Sequence, residues 1–223
     1  MRGERYNISD SEGYKTLRKE LVNNLTEKGI SSSEVLGAIE KVPRHFFVPI
    51  NTAPEEAYAD HALQIGEGQT ISQPYTVAYQ TQLLDIKEGN KILEIGTGSG
   101  YQAAVLYQWP IELYTIELNQ TLYQRTRKLF EQLNYSIHTF FGDGSLGLPT
   151  YAPFDRILVT AGAPSVPEDL LHQLSPGGKL VIPVGQPKTQ KMYRITCNVF
   201  QQFDTEIFDL FSFVPLLGKY GWK

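Results

Sequence analysis

Three alternating glycines follow a short apolar run and have the spacing of a nucleotide-binding turn. The run reads Lys-Ile-Leu-Glu-Ile over residues 91 to 95, and Gly96, Gly98 and Gly100 follow it directly. Glycine lets a backbone turn sharply and approach a ligand closely, so this spacing is typical of a loop between a buried strand and a helix. Glycines also form purely structural turns, so the loop alone does not identify a ligand.

Three acidic residues are candidates to contact such a ligand. Glu117 falls about twenty residues after the glycines, at the end of the next expected strand, where a carboxylate accepts hydrogen bonds from ribose hydroxyls. Asp143 could accept one from an adenine amino group, although its Asp-Gly pair is also an ordinary turn. Glu94 precedes the turn and could either orient the ammonium end of a ligand or hold the loop through backbone amides.

The spacing of the glycines distinguishes the possible cofactors. A dinucleotide fingerprint requires Gly-x-Gly-x-x-Gly, but position 101 is Tyr and the glycines occupy alternate positions instead. This order favours S-adenosylmethionine. Its ribose also needs a carboxylate as hydrogen-bond acceptor, but it has no pyrophosphate to bind at the N-terminus of the helix. Nothing resembles a Walker loop. The sequence therefore predicts a site for S-adenosylmethionine, with S-adenosylhomocysteine as its product.

Alternating strand and helix patterns surround the glycine loop and must position these residues. Strands are expected at residues 91 to 95, 111 to 116, 136 to 141, 154 to 160 and 179 to 184, with helices at 101 to 108, 122 to 133 and 165 to 174. This alternation predicts an α/β fold with a doubly wound, mostly parallel, Rossmann-like sheet. Ligands bind such a sheet beyond the carboxyl ends of its strands, so the candidate residues should share one edge.

Other patterns flank this core at both ends. Two amphipathic helices, over residues 14 to 25 and 31 to 42, predict an N-terminal helical cap, and a long ordered loop over residues 42 to 74 follows. Ser31 with Glu34, and Ser165 with Glu168, have capping-box spacing. Segments at 191 to 200 and 205 to 214 predict an antiparallel hairpin on the sheet edge. We expect residues 1 to 90 to pack, as cap and covering loop, on a core of residues 91 to 223.

Composition excludes several classes of protein. The 223 residues include 20 Lys plus Arg against 24 Asp plus Glu, with a net charge of -4. The basic residues are scattered, which does not favour nucleic acid as a partner. No apolar run is long enough to span a membrane and the polar start does not resemble a signal peptide, so we expect a cytoplasmic protein without membrane association. The single cysteine, Cys197, excludes an intrachain disulfide, and the four histidines lack the spacing of metal ligands.

Motifs along nearly the whole chain, from about Tyr14, occur together in one family. Gly68-Gln69-Thr70-Ile71-Ser72 followed by Pro74 is the specific motif, whereas the glycine loop and the segments at 142 to 144 and 176 to 178 are shared by many class I methyltransferases. Further matching segments lie at residues 42 to 49, 154 to 157 and 213 to 216. On these motifs the chain resembles the protein-L-isoaspartate O-methyltransferases.

The resemblance implies a role for individual residues. Ser72 corresponds to the family's active-site serine, and backbone groups around Val214 to those that receive a substrate peptide. Tyr75 is an implied substrate contact, where some relatives carry His. Thr70 and Ile71 are implied to close over the cofactor, and Glu117 and Asp143 to hold its ribose and adenine. The further residues predicted to bind the cofactor are Glu94, Gly96, Thr97, Gly98 and Gly144. Considered alone, Ser72 is also well placed to cap the helix that Pro74 begins.

The resemblance also implies a reaction, in which a methyl group passes to the free α-carboxylate of L-isoaspartyl residues in damaged proteins. The ester cyclises to a succinimide, which hydrolyses partly to aspartate. A carboxylate is already an anion at neutral pH, so the reaction needs no metal, paired acids or Ser-His-Asp set, and none is visible in the sequence. Catalysis would consist of alignment and partial exclusion of water, with Ser72 orienting the carboxylate. A monomer is expected.

Other functions stay open on these residues. A nucleic-acid methyltransferase would share the glycine loop, but residues 159 to 164 lack the Asn/Asp-Pro-Pro-aromatic cluster of amino-group methylation. A methyltransferase that esterifies a carboxylate of another small molecule is harder to exclude. A relative that modifies aspartate in a biosynthetic peptide would retain every motif. A non-catalytic cofactor-binding module is the last alternative, and the intact Ser72 and glycine loop oppose it.

Overall fold

The computed structural model describes residues 9 to 222, so the first eight residues of the expected cap, and of the expected polar start, lie outside the described residues, as does residue 223 of the expected core. The helices are α1 Glu12–Glu27, α2 Ser33–Lys41, α3 Pro54–Tyr58, α4 Pro74–Leu84, α5 Tyr101–Leu106, α6 Gln120–Gln132 and α7 Glu168–Leu171. The strands are β1 Leu63–Gly66, β2 Gln69–Ile71, β3 Lys91–Ile95, β4 Glu112–Glu117, β5 His138–Phe141, β6 Phe154–Val159, β7 Leu174–Gln186, β8 Thr189–Cys197 and β9 Phe203–Phe211.

Seven of these strands form one sheet in the order β5-β4-β3-β6-β7-β8-β9. The pairs from β5 to β7 are parallel, whereas β7, β8 and β9 pair antiparallel. The chain builds outward from β3 to β5 and then returns to place β6 on the other side of β3, so the strand order reverses between β3 and β6. This topology confirms the doubly wound, mostly parallel sheet and its C-terminal antiparallel hairpin.

The sheet is buried on both faces because its central strands are almost continuously apolar. Successive side chains of a strand point to opposite faces, and in β3 this places Ile92 in one hydrophobic cluster and Leu93 and Ile95 in another. The cluster of Ile92 also contains Leu25 of α1 and Ile39 of α2. Helices α1 and α2 pack on α4, and α4 packs on β6 and β7, so the N-terminal helices join this face of the sheet through α4.

The segment expected to be a long loop contains regular structure. Residues Arg44–Phe46 form a 3₁₀ turn, α3 follows, and β1 pairs antiparallel with β2 as a short hairpin. The expectation of a loop was wrong because elements of three to five residues are too short to show a hydrophobic period.

Both expected caps were also misplaced. Ser32, rather than Ser31, caps α2, and its Oγ accepts a hydrogen bond from the Val35 amide at 3.3 Å. Ser165 caps nothing, because α7 begins after Pro167 without a side-chain cap. This helix also stops at Leu171, and β7 begins at Leu174, where the helix was expected to end. None of the helices over residues 9 to 222 has the length and apolar character needed to cross a membrane.

Candidate active site

A cavity of about 280 Å³ opens beyond the carboxyl ends of β3, β4 and β6. The sequence-predicted site residues that line it are Thr70, Ile71, Ser72, Gly96, Thr97, Gly98, Glu117, Gly144 and Val214. Strand ends meet at this edge because the strands are parallel, and the reversal of strand order between β3 and β6 leaves room for a ligand there. Most of the residues chosen from the sequence therefore lie around one cavity.

The glycine loop has a backbone that side chains would obstruct. Gly96 and Gly100 have φ angles of +96° and +88°, in the left-handed region that glycine tolerates best. A Cβ at Gly96 would lie 2.5 Å from Thr160 Oγ1, and one at Gly100 would lie 2.7 Å from Phe130 Cε1. The loop can therefore turn from β3 into α5 only without side chains at these positions.

Glu117 presents its carboxylate to the cavity in a fixed orientation. The residue is 7% exposed. Its Oε2 accepts a hydrogen bond from the Gly98 amide at 2.8 Å, and its Oε1 accepts one from the Asn119 amide at 2.8 Å. Each carboxylate oxygen can accept further hydrogen bonds, so the group is suited to a pair of ligand hydroxyls.

Glu94 lies behind the wall of the cavity and is fully buried, with 0% exposure. Its Oε2 accepts a hydrogen bond from Thr115 Oγ1, which in turn lies 2.7 Å from Thr97 Oγ1. Burial raises the pKa of Glu94 to about 8, and the Glu117 carboxylate adds to the rise. Glu94 therefore reaches the cavity only through Thr115 and Thr97, and it accepts from a hydroxyl rather than from amides of the loop.

Asp143 is not part of the cavity wall, although its neighbour Gly144 is. The Asp143 Oδ1 accepts hydrogen bonds from the amide and hydroxyl of Ser145, at 2.9 and 2.7 Å. Its Oδ2 accepts one from the Lys219 amide at 2.7 Å. The carboxylate thus holds the C-terminal segment, residues 216 to 222, whose Leu217 lines the cavity. The sequence contained no signal for this contact, because its partners lie 76 residues apart.

Ser72 lies between β2 and α4. The N-cap residue of α4 is Gln73, which has no side-chain cap. Instead, Asp60 Oδ1 accepts a hydrogen bond from the Tyr75 amide at 2.8 Å in the first turn of α4. The alternative interpretation of Ser72 as a helix cap was therefore wrong, and Asp60 is the side chain that caps the first turn of α4.

A groove of about 590 Å³ adjoins the cavity at Ser72. The two spaces share Thr70, Ser72, Thr160 and Val214 in their walls. Tyr75 lines only the groove, together with Lys188 and Asp209. Burial, and the charge of Asp209, raise the pKa of Tyr75. Ser72 and Val214 thus stand where a cavity fit for a nucleoside meets a groove open to a second molecule.

The chain is similar in sequence to proteins of one name. A family model described as "Protein-L-isoaspartate(D-aspartate) O-methyltransferase (PCMT)" matches residues 16–221. A protein-L-isoaspartate O-methyltransferase of Cytophaga hutchinsonii is 52% identical over 97% of this chain and 97% of its own length. One of Flavobacterium johnsoniae is 50% identical over 94% of this chain and 98% of its own.

Solved structures agree with the fold. A structure titled protein-L-isoaspartate O-methyltransferase superposes with a TM-score of 0.82 at 26% identity, over 92% of this chain and 67% of that chain. A putative enzyme of the same name from Plasmodium falciparum, in complex with S-adenosyl-L-homocysteine, gives a TM-score of 0.77 at 24% identity, over 90% of this chain and 98% of that chain.

Proposed function

The chain belongs to the protein-L-isoaspartate(D-aspartate) O-methyltransferase family, and we propose that it methylates the α-carboxylate of L-isoaspartyl residues from S-adenosylmethionine. The observation that carries this proposal is the place of Ser72, at the junction of a nucleoside-sized cavity and an open groove. In the transfer, a bond forms between a carboxylate oxygen and the methyl carbon, and the methyl–sulfur bond breaks with its electron pair left on sulfur. Methyl ester and S-adenosylhomocysteine result.

The residues around the cavity fit the cofactor. When bound, S-adenosylmethionine supplies a methyl group on a positively charged sulfur. Glu117 is the proposed acceptor for the ribose hydroxyls, and the backbone of residues 96 to 98 faces the same space. Gly144 and the apolar Leu217 line the wall beside them. We propose adenine contacts at Gly144, with Asp143 holding the C-terminal segment beside them.

The chain's own part in the reaction is alignment. The Ser72 hydroxyl donates a hydrogen bond to the substrate carboxylate and turns one oxygen toward the cavity. Thr70 and Ile71 cover the junction and reduce the water around the reacting atoms, which strengthens electrostatic interactions there. The peptide on either side of the isoaspartyl residue lies in the groove, against Tyr75 and the backbone at Val214. No proton transfer is needed, since the carboxylate is ionised at neutral pH.

We further propose that the enzyme acts in the cytoplasm as a monomer on aged polypeptides, starting their repair, and binds neither nucleic acid nor membranes. The excess of 24 acidic over 20 basic residues supports the proposal that the protein does not bind nucleic acid, since surfaces that bind nucleic acid are usually basic. Cys197 is buried and unpaired, which suits a reducing compartment. The hydrophobic cluster that joins residues 21 to 84 with the sheet supports one compact unit of cap and core.

The proposal is tested with labelled S-adenosylmethionine and two peptides that differ only in isoaspartate against aspartate. We expect base-labile label on the isoaspartyl peptide alone. In isoaspartate the free carboxylate is attached directly to the α-carbon, because the backbone runs through the side-chain carbon and is one carbon longer than in aspartate. Equal labelling of both peptides would indicate a relative that modifies normal aspartate. An absence of label in protein that binds S-adenosylhomocysteine would indicate a binding module.

A further inference from the structure

Arg44 lies in the segment between the N-terminal helices and β1, and its side chain is fully buried, with 0% exposure. All three nitrogens of its guanidinium donate hydrogen bonds to backbone carbonyl oxygens. Nε donates to Ala57 at 3.0 Å, Nη1 to Ser72 at 3.0 Å and Nη2 to His61 at 3.2 Å. Burial lowers the pKa of Arg44 to about 10, so the group keeps its charge at neutral pH.

The same guanidinium also lies over an aromatic ring on the cofactor side of the site. Its Cζ lies 5.0 Å from the centre of the Tyr101 ring, a distance at which a cation is attracted to an aromatic face. Tyr101 is the first residue of α5, follows the last glycine of the loop, and lines the cavity. One buried cation therefore contacts both the glycine-loop helix and the backbone of Ser72.

The segment that carries Ser72 is held at its other end as well. Asp60 Oδ1 accepts from the Tyr75 amide, and its Oδ2 accepts from Gln73 Nε2 at 3.1 Å and from Lys28 Nζ at 2.6 Å. Arg44 is thus the contact on the Ser72 side of this segment and Asp60 the contact on the helix side. Between them, residues 72 to 75 have little freedom to shift relative to the cavity.

We propose that Arg44 is a positioning residue, which sets the distance between Ser72 and the cofactor by donating to the Ser72 carbonyl while its cation lies over the Tyr101 ring. This inference rests on the function proposed above. Arginine suits the role because its planar fork places several donors in fixed directions while its face stays free to stack. Lysine has the charge but offers a single donor point, so it would leave buried carbonyls without a partner.

Arg44→Lys tests the proposal, and Arg156→Lys is its matched control. Arg156 is also buried, at 7% exposure, and also donates only to backbone carbonyls, those of Asp85 and Asp155. It lies near the start of β6, whereas the cavity lies beyond the end of that strand. Both substitutions therefore remove similar bonds, but only the first loosens Ser72.

We expect Arg44→Lys to lower kcat by about 10- to 100-fold, because small misplacements of reacting groups have effects of that size. Its affinity for S-adenosylhomocysteine, measured by calorimetry, should stay close to that of the unmodified protein. Amide hydrogen exchange over residues 69 to 76 should become faster. Arg156→Lys should lose thermal stability without a change in kcat or in exchange of that segment.

Each other outcome counts against the proposal. Equal loss of kcat in both variants, unchanged exchange in Arg44→Lys, or failure of Arg44→Lys to fold where Arg156→Lys folds would assign Arg44 to general stability. If the unmodified protein does not label isoaspartyl peptides, the proposed function fails. The exchange and calorimetric measurements do not depend on turnover and still decide whether Arg44 holds the Ser72 segment.

Discussion

In the proposed reaction Ser72 acts on a substrate that is already charged, so its contribution should be a single hydrogen bond to an anion. Such bonds contribute about 1.5–3 kcal/mol. We expect Ser72→Ala to lower kcat/KM for the isoaspartyl peptide by about 10- to 150-fold, the equivalent of that range, while the affinity for S-adenosylhomocysteine stays unchanged in calorimetry. Ser165→Ala is the control, because Ser165 is exposed and caps no helix. A loss of cofactor affinity that accounts for the whole defect would make Ser72 structural.

Glu94 should make the folded protein less stable as pH rises from acid to neutral. Its pKa is about 8 in the folded protein against an ordinary 4.5. Between these values the folded state keeps a proton that the unfolded chain releases, so stability present below pH 4.5 is lost as pH rises toward 8.

Glu94→Gln removes this titration and keeps an oxygen for the Thr115 hydroxyl. We expect the variant to gain stability relative to the unmodified protein as pH rises from 5 to 8, by at most about 1.4 kcal/mol per pH unit. Urea unfolding at several pH values measures the difference. Parallel stability curves for the two proteins would show that Glu94 is ionised in the folded state.

Among the elements, those with a clear period were predictable and the short ones were not. The strand at 91 to 95, the glycine loop and Glu117 were found from the sequence because strand, turn and strand-end acid are close neighbours in the chain. The β1–β2 hairpin was missed, because three or four residues show no period.

Long-range contacts set the other limit on prediction from sequence. The sequence predicted an adenine contact for Asp143, but not the hydrogen bond that its carboxylate accepts from the Lys219 amide, 76 residues away. Arg44 lies in the matching segment 42 to 49, and that motif did not predict its hydrogen bond to the carbonyl of Ser72, 28 residues away. Such hydrogen-bond partners are determined by the tertiary fold, and no local sequence pattern predicts them.

The C-terminal segment should influence cofactor affinity, because it closes one side of the cavity. Gly218 has a φ of +120°, and a Cβ there would lie 2.0 Å from Asp143 Oδ1. Gly218→Ala should therefore displace the segment and remove Leu217 from the wall. We expect an affinity for S-adenosylhomocysteine about tenfold weaker in calorimetry. This is the low end of the about 1.5–3 kcal/mol that a fully buried side chain of that size contributes, because Leu217 is 44% exposed.

Gly177→Ala is a matched control for this change. Gly177 also has a positive φ, +79°, but a Cβ there would have no atom within 4 Å. It should show the cost of backbone strain without any loss of affinity. Equal affinities in both variants would mean that the C-terminal segment does not shape the cavity.

At the scale of the whole molecule, the N-terminal helices and the sheet share one hydrophobic cluster. Leu21, Leu25 and Ile39 belong to it together with Ile92 and Leu113 of the sheet. A division into a cap of residues 1 to 90 and a core of residues 91 to 223 should therefore not correspond to two units that unfold separately.

We expect one cooperative unfolding transition in urea, because separating cap from core would expose the shared cluster. Far-ultraviolet circular dichroism detects the helices, including the 16 residues of α1. Fluorescence of Trp109 and Trp222 reports on the core half of the chain. The midpoints from the two signals should coincide. A lower midpoint for the helical signal would show that the cap unfolds alone.

The antiparallel hairpin leaves β9 at the edge of the sheet, with Ile207 and Leu210 exposed on it. An enzyme that handles aged, partly unfolded chains meets many segments able to pair with an open strand and to start aggregation. Asp204 and Asp209 lie along the same nine residues, whereas Glu206 is paired with Arg194 of β8. Charges on an edge strand oppose the addition of further strands. The acidic side chains should therefore keep segments of the substrate polypeptides from pairing with β9. They should also oppose dimerisation through β9, because two copies joined there would bring like charges together.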